Sequence, residues 1–140
     1  MNRRTFLRTT LIAAAATGSN TAMAQPSEVS PSKLPRWRGF NLLEKFIAET
    51  KQPFVERDFA WIRDWGFDFV RLPLDYRCWS QQGDWSKLDE AELKQIYDAV
   101  ALGEKYGVHV NIAFHRAPGY CVNKNPPELV SLWDNEDAQA

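Results

Sequence analysis

The order in which strand-like and helix-like segments alternate along this chain constrains its fold more than any other feature. Residues 37–43, 67–73 and 108–114 are short runs rich in aromatic and branched aliphatic side chains, as β-strands are. Between these runs, residues 54–65 and 89–106 carry apolar side chains at helical spacing. This alternating order predicts βαβ units with right-handed crossovers and a parallel sheet.

Individual residues mark the ends of these segments. Asp89 is expected to be an N-cap with Glu92 three residues later, close to a capping box. Gly107 and Gly66 stand where the two helices are expected to end. Pro73 is expected to close the second strand, because proline cannot donate a hydrogen bond to a sheet ladder.

Two architectures agree with this order, a doubly wound open sheet and a (β/α)8 TIM barrel. No glycine-rich phosphate loop follows the first strand, which excludes the commonest dinucleotide-binding form of the open sheet. A complete barrel has eight strands and typically about 250 residues. Under the barrel interpretation, residues 37–140 are the N-terminal part of a catalytic domain, with its first three strands and two helices.

Two polar side chains stand at strand ends, where TIM barrels carry their functional groups. Arg71 lies near the end of the second strand, and His115 directly follows the third. Side chains alternate along a strand, so His115 lies opposite an apolar face that suits packing under helices, made of Val108, Val110, Ile112 and Phe114. We therefore expect Arg71 and His115 to project together into the barrel interior.

Arg71 is expected to have an acidic partner, because an unpaired buried guanidinium is costly. A local acid such as Asp75 or Glu44 would give it a structural role, whereas a catalytic carboxylate would give it a functional one. For His115 the alternative is an ordinary core histidine. The position of both residues at the same end of neighbouring strands favours a functional site.

Residues 1–24 have the organisation of a cleaved export signal. Arg3 and Arg4 begin it, an alanine-rich apolar stretch covers residues 11–16, and small residues precede the expected cleavage after Ala24. The apolar stretch is much shorter than a bilayer span of about 20 residues. Paired arginines followed by Phe-Leu predict a twin-arginine signal and its export machinery as a partner, with an ordinary secretory signal as the alternative.

The signal predicts a periplasmic or extracellular protein. Residues 25–36, which follow it and are rich in proline and serine, are predicted to be a flexible linker. Three of the 17 basic residues lie in the signal, so the exported chain would carry 14 basic against 18 acidic residues. No basic stripe indicates a nucleic-acid partner. No further segment is long and apolar enough for stable membrane insertion.

Sequence motifs at the three strand ends occur in a specific order: Gly39-Phe40-Asn41, then Val70-Arg71-Leu72-Pro73, then residues 108–114 followed by His115. Together they resemble glycoside hydrolase family 5, the cellulase family. The first strand of that family carries Gly-x-Asn, the second ends in Val-Arg-x-Pro, and the third is an aliphatic run capped by histidine. The resemblance extends from Trp37 to about Trp133.

This resemblance implies an endoglucanase-like O-glycosyl hydrolase that acts on β-linked polysaccharides or oligosaccharides and needs no cofactor. Family members retain configuration by using two glutamates, at the ends of strands four and seven, with carboxyl groups about 5–5.5 Å apart. By the family pattern, Arg71 hydrogen-bonds the nucleophilic glutamate and keeps it ionised. His115 is implied to line the sugar site beside the bond that is cleaved.

Neither catalytic glutamate is assigned in this sequence. Glu128 and Glu136 follow the third strand, and Asn135-Glu136 is interpreted as a solvated helix start. We therefore expect the 140-residue chain to stop before both glutamates and to be inactive alone. The alternatives are a non-catalytic remnant or carbohydrate-binding fragment, and a different exported (β/α)8 enzyme that depends on a metal or a sugar phosphate.

Two long loops are predicted, residues 74–88 and the turn-rich segment from Arg116 onward. Trp79 lies in the first loop, and Tyr120 and Trp133 lie in the second. Because both loops belong to the active-site side of a barrel, the three rings are predicted to be sugar platforms, with ordinary loop packing as the alternative.

The two cysteines, Cys78 and Cys121, follow strands two and three, so their loops would be neighbours on one rim. Export to an oxidising compartment permits a disulfide, and a Cys78–Cys121 bridge is preferred over two free thiols. His109 and His115 lack a third ligand at a supporting spacing, and no metal site is predicted.

Overall fold

The computed structural model describes residues 30–81 and 84–140. The predicted export signal, residues 1–24, and the first part of the predicted linker lie outside the described residues. The chain divides into two units, Met1–Pro35 and Arg36–Ala140. In the described part of the first unit, a short bridge pairs Ser30 with Lys33. Within the described ranges, none of the helices combines the length and the apolar character needed to cross a membrane.

The second unit alternates strands and helices. In chain order its elements are β1 (Gly39–Asn41), α1 (Glu56–Asp64), β2 (Phe69–Asp75), β3 (Ser80–Gln81), β4 (Asp84–Leu88), α2 (Glu90–Tyr106), β5 (His109–Ala117), β6 (Tyr120–Cys121) and α3 (Glu136–Gln139). Short 3-10 turns occupy Ala48–Thr50 and Tyr76–Cys78.

The main sheet has the order β1-β2-β5-β6, in which β1, β2 and β5 are parallel and β6 folds back antiparallel onto β5. The predicted parallel arrangement of the first three long strand segments is therefore confirmed. β1 approaches β2 so closely that a Cβ atom on Gly39 would lie 1.5 Å from the backbone oxygen of Phe69. Glycine is required at this position because no side chain fits there.

Both main helices pack against the same face of the sheet. Val70, Leu72 and Leu74 of β2 are at most 1% exposed on that face. They form one core with the buried residues that α1 and α2 contribute, which are Phe59, Ile62, Ile96 and Ala99. Three parallel strands in sequential order with helices on one face are the arrangement of consecutive βα units in a TIM barrel, whereas a doubly wound sheet carries helices on both faces.

The ends of α2 follow the sequence signals. The Asp89 side chain accepts hydrogen bonds from the backbone N–H groups of Ala91 and Glu92 at 3.0 and 3.2 Å, so the predicted N-cap is confirmed. Gly107 ends the helix with φ +65°, a left-handed conformation that glycine adopts at low cost. The Glu92 carboxylate does not complete a capping box, because it pairs with Lys45 and Lys51 instead.

Two predicted strand ends are wrong. β2 continues beyond Pro73 to Asp75, with Pro73 in register with Ala113 of β5. The strand tolerates proline there because the β1 ladder ends opposite Arg71, so Pro73 lies past the end of that neighbouring strand. β5 continues beyond Phe114 to Ala117. The predicted loop at residues 74–88 also contains regular structure, since β3 and β4 pair as an antiparallel hairpin.

Candidate functional site

The face of the sheet opposite the helices carries the predicted site residues in layers. Its first layer is aromatic, because Phe69 and His109 are neighbours across β2 and β5. Trp37 stacks on His109 with ring centroids 4.0 Å apart and an interplanar angle of 7°. This stacked cluster closes the amino-terminal end of the face and leaves the polar residues at the carboxyl-terminal end.

Arg71 lies in the second layer, between Asn41 of β1 and Asn111 of β5. Its side chain is partly exposed. Among the described residues the guanidinium has no acidic partner, so the alternative of a structural pair with Asp75 or Glu44 is not formed. Asp75 is engaged by two other arginines. Burial raises the pKa of Glu44, whose Oε2 atom is buried without a hydrogen-bond partner in the described part of the chain.

His115 lies at the bulge of β5, where Leu74 pairs with Phe114 and Asp75 with Arg116. Its ring is partly buried and lies 4.7 Å from the ring of Phe46, centroid to centroid. Alternation along β5 places it on the same face as Arg71.

Arg71 and His115 share a face but do not touch. Arg71 pairs with Asn111, four residues before His115, which corresponds to about 13 Å along a strand. The two side chains therefore lie at different depths of one surface, with His115 nearer its mouth.

A buried charge cluster that the sequence did not predict fills the carboxyl-terminal ends of β2 and β5. Asp75 is 1% exposed and Arg116 is 5% exposed. Asp75 accepts from the Nε and Nη2 atoms of Arg77 at 3.0 and 2.6 Å, and Arg116 Nε lies 3.7 Å from its Oδ2. The hydrogen bond to Asp75 holds the pKa of Arg77 above its ordinary value.

Glu128 completes this cluster from the loop after β5. It forms an ion pair with Arg116, and its Oε2 accepts from the Tyr76 hydroxyl at 2.8 Å. Burial and then the bond to Glu128 raise the pKa of Tyr76 to about 12. Glu128 is therefore held by a cation and a phenol inside the protein, which is a structural setting for a carboxylate.

The three predicted aromatic platforms have different surroundings. Trp79 is 8% exposed and belongs to the core, 5.9 Å from the ring of Phe114, because the 3-10 turn after β2 folds it back against the sheet. It presents no free face to a sugar, and that prediction is wrong. Tyr120 and Trp133 are 45% and 73% exposed and meet edge to face at 6.0 Å. This pair has the exposure that sugar stacking needs.

The predicted Cys78–Cys121 bridge is not formed, because both residues are free thiols. Cys78 is buried under the segment after β1, where its Sγ donates to the Lys45 carbonyl at 3.4 Å. Cys121 lies in β6 and donates to the His115 carbonyl at 3.6 Å. The hairpin of β5 and β6 thus directs Cys121 to its own strand pair rather than toward Cys78.

A second buried cluster ties α2 to the segment after β1. Lys45 is 1% exposed, and its Nζ donates to Glu92 Oε2 at 2.5 Å and to Gln95 Oε1 at 2.8 Å. Lys51 Nζ lies 3.0 Å from Glu92 Oε1. Burial acts to raise the pKa of Glu92, but hydrogen bonds and charge from the two lysines outweigh it, so the pKa is lowered.

No group of three or more histidine, cysteine or acidic side chains within residues 30–81 and 84–140 is arranged to hold a metal ion. His109 and His115 are six residues apart on one strand, about 20 Å at the usual rise, and each contacts a different aromatic ring.

Comparison with known proteins identifies the family. A family profile described as cellulase, glycosyl hydrolase family 5, matches residues 25–134. This chain belongs to glycosyl hydrolase family 5. The match covers β1, β2 and β5, on which Arg71 and His115 lie, and it confirms the TIM-barrel interpretation of the sheet.

The relatives of this chain extend well beyond the matched region. Cellodextrinase A of Ruminococcus flavefaciens is 37% identical over 95 residues, which are 67% of this chain and 27% of the relative. Endoglucanase C of Acetivibrio thermocellus is 33% identical over 76 residues, 54% of this chain and 22% of the relative. A glycoside hydrolase crystal structure aligns with TM-score 0.66 and 32% identity, covering 72% of this chain and 32% of that structure. The chain thus spans about a fifth to a third of the length of these proteins.

The Asn-Glu pair of this family 5 chain is not at a strand end. Asn135 is the N-cap of α3, and its Oδ1 accepts from the Ala138 N–H at 2.9 Å. Glu136 is the first residue of that short helix and is exposed. The interpretation of Asn135-Glu136 as a solvated helix start is therefore confirmed.

Proposed function

We propose that the protein is an exported family 5 glycoside hydrolase that cleaves β-linked glucans with retention, using a nucleophilic and an acid/base glutamate. The family match supports hydrolysis of glycosidic bonds. The names of its relatives, a cellodextrinase and an endoglucanase, support a glucan substrate. Retention requires two carboxyl groups about 5–5.5 Å apart.

The observation that carries the proposal is the state of Arg71. This guanidinium lies between two asparagines on the face opposite the helices, and no described acidic side chain neutralises it. A partly buried cation without a counter-charge is stabilised when a carboxylate comes within reach. We assign that carboxylate to the nucleophilic glutamate, whose pKa a neighbouring arginine would lower, so that it is ionised when it attacks the sugar.

His115 would act nearer the mouth of the same surface. It is partly buried against Phe46, and its position at a bulge turns it out of the regular ladder. There it would line the sugar site and hydrogen-bond the bound saccharide beside the scissile bond.

Asp75, Glu128 and Glu136 are not placed to act as a catalytic pair. Asp75 and Glu128 are both held in buried contacts with arginines. Glu136 is an exposed helix-start residue outside any strand. We therefore propose that the 140-residue chain alone has no glycosidase activity. The test compares this purified chain with the product of the whole reading frame on soluble β-glucan, and turnover by the short chain equal to that of the long product would contradict it.

The role of Arg71 is tested by Arg71→Lys and Arg71→Met in the protein expressed from the whole reading frame. We expect kcat to fall by about a hundredfold or more, since removing one charge-stabilising donor at an active site costs roughly 10²–10³ in kcat. In Arg71→Met the acidic limb of the pH profile should also move upward, because the nucleophile loses a positive neighbour, whereas Arg71→Lys keeps the positive charge. Arg63→Lys, an exposed change on α1, is the control. Activity within twofold of wild type in both Arg71 variants would refute the assignment.

We also propose that the twin-arginine machinery exports the protein to the periplasm or beyond. The basis is the paired arginines and short alanine-rich stretch of the leader. Cell fractionation in strains with and without the twin-arginine translocase is the test. Export that is unchanged without the translocase, or in the Arg3→Lys/Arg4→Lys double variant, would favour an ordinary secretory route.

A further inference from the structure

The loop that follows β5 is held by hydrogen bonds and an ion pair to one buried guanidinium, that of Arg116. Nη1 of Arg116 donates to the Pro126 carbonyl at 3.0 Å and to the Glu128 carboxylate. Nη2 donates to the carbonyls of Asn123 and Asn125 at 3.1 and 3.2 Å. Nε faces the Asp75 carboxylate. Every nitrogen of this side chain therefore has an oxygen partner, and three of those partners are backbone atoms of one loop.

Glu128 connects the same loop to the end of β2 and to its own base. Its Oε2 accepts from the Tyr76 hydroxyl at 2.8 Å and from the Gly119 N–H at 3.4 Å. The Gly119 carbonyl in turn accepts from the Leu132 N–H at 2.9 Å. A Cβ atom on Gly119 would lie 2.4 Å from that Leu132 nitrogen, so the two ends of the loop meet backbone to backbone.

The exposed aromatic pair is attached directly to these anchors. Tyr120 follows Gly119, and Trp133 follows Leu132, so one backbone hydrogen bond sets the spacing of the two rings. His115, the residue nearest the mouth of the candidate site, immediately precedes Arg116. One buried side chain thus fixes both the aromatic pair and the strand end that carries a site residue.

We propose that Arg116, held between Asp75 and Glu128, is a positioning residue for glucan binding that acts through the Tyr120–Trp133 pair. Exposed aromatic rings bury large apolar area against a ligand only when they are held in place, and flat pyranose faces match such rings. The Tyr120–Trp133 pair then forms a sugar-binding edge of the candidate site, and Arg116 holds the two rings in position. This inference rests on the proposed glucan hydrolase function.

Conservative variants keep the test separate from unfolding. Arg116→Lys retains the charge but loses the planar fork that reaches several carbonyls at once. Glu128→Gln retains the shape of the side chain and removes the same Arg116–Glu128 ion pair by changing its acidic partner. Both are made in the protein expressed from the whole reading frame, with Arg57→Lys on the exposed side of α1 as the matched control. Thermal unfolding confirms which variants are folded at the assay temperature.

The measurements are kcat and KM with cellohexaose, and the Kd for cellohexaose from tryptophan fluorescence. We expect Arg116→Lys to raise KM and Kd about tenfold, equivalent to roughly 1.4 kcal/mol, while kcat changes less than about twofold. Glu128→Gln should do the same to a smaller degree. In a Trp133→Ala background the further effect of either variant should disappear, because both act through the same ring.

Two results would overturn the inference. One is a fall in kcat with KM unchanged, which would place Arg116 in the chemistry rather than in binding. The other is a full multiplicative loss when Arg116→Lys is combined with Trp133→Ala, which would show that the two act independently. A wild-type protein that neither binds nor cleaves cellohexaose or soluble β-glucan would instead remove the proposed function, and the inference with it.

Discussion

Asp75 is the residue whose replacement should reveal most about how this end of the sheet is held together. It is 1% exposed and lies between Arg77, whose Nη2 is 2.6 Å away, and Arg116, whose Nε is 3.7 Å away. Asp75→Asn keeps the size of the side chain. It removes the negative charge and turns an N–H donor toward a guanidinium donor.

The magnitude follows from what remains after the substitution. Breaking a buried ion pair by removing one partner costs about 3–5 kcal/mol. Arg116 keeps its pair with Glu128, which limits the loss on that side. Within residues 30–81 and 84–140, the one acidic partner that Arg77 keeps is Glu49 at 3.5 Å. Because that glutamate is 64% exposed, the pair contributes at most about 1 kcal/mol. We therefore expect the free energy of unfolding to fall by about 3 kcal/mol.

Urea denaturation followed by tryptophan fluorescence measures this loss. With a slope of about 1–3 kcal/mol per molar, the midpoint should fall by roughly 1–3 M. Asp98→Asn is the matched control, because Asp98 pairs with Lys94 on the surface of α2 with both side chains more than half exposed. That change should cost no more than about 0.5 kcal/mol. Equal midpoints for Asp75→Asn and Asp98→Asn would refute the account of Asp75 as the shared counter-charge of two buried arginines.

Three further predictions concern other parts of the fold. Gly39→Ala should prevent β1 from pairing with β2, since its Cβ would lie 1.5 Å from the Phe69 oxygen, and loss of soluble folded protein by circular dichroism would show this. The lowered pKa of Glu92 contributes stability that is fully present above the ordinary value of 4.5 and is lost as the pH falls through the folded-state pKa. Glu92→Gln should therefore be less stable than wild type near pH 7, and the difference should disappear as the pH falls below that lowered pKa. If the stabilities of wild type and Glu92→Gln did not converge at acid pH, the role of Lys45 as the buried partner of Glu92 would be contradicted. Burial raises the pKa of Cys78 to about 11. At pH 8 the buried Cys78 thiol of the native protein should therefore react slowly with a disulfide reagent, whereas after denaturation both cysteines should react readily.

The stability of the carboxyl-terminal end of the sheet depends on contacts between residues that are distant in sequence. The cluster joins Asp75, Tyr76 and Arg77 at the end of β2 to Arg116 and Glu128 after β5. Ion pairs of this kind are costly to break, because each partner left behind is a charge without solvent. The loop that carries the aromatic pair should therefore be ordered together with the sheet rather than move freely over it.

Local signals in the sequence were sufficient for the two main helices, the three parallel strands and their direction, but not for the ends of β2 and β5 or for the β3–β4 pair. Asp89 and Gly107 define the ends of α2 through hydrogen bonds and dihedral angles within a few residues. The period-two pattern of the strands separated the buried face of β2 from the face that carries Arg71. Those properties depend on neighbours along the chain, so a single sequence contains them.

The tertiary structure alone decided which polar groups meet. The sequence pattern indicated that Arg116 is the first residue of a loop. In the structure its side chain is buried and binds several groups, because the segment 7 to 12 positions later and the end of β2 fold around it. Trp79 and Cys78 looked like rim residues, yet the turn after β2 folds both into the core. The sequence by itself thus determined the alternation of strands and helices and the polar residues, Arg71 and His115, that stand at the strand ends. Burial and ion pairing depend on how distant segments converge in space, which one-dimensional patterns do not encode. For that reason the charge cluster, and the lack of an acidic partner for Arg71 among the residues that the structure describes, became visible only in the folded chain.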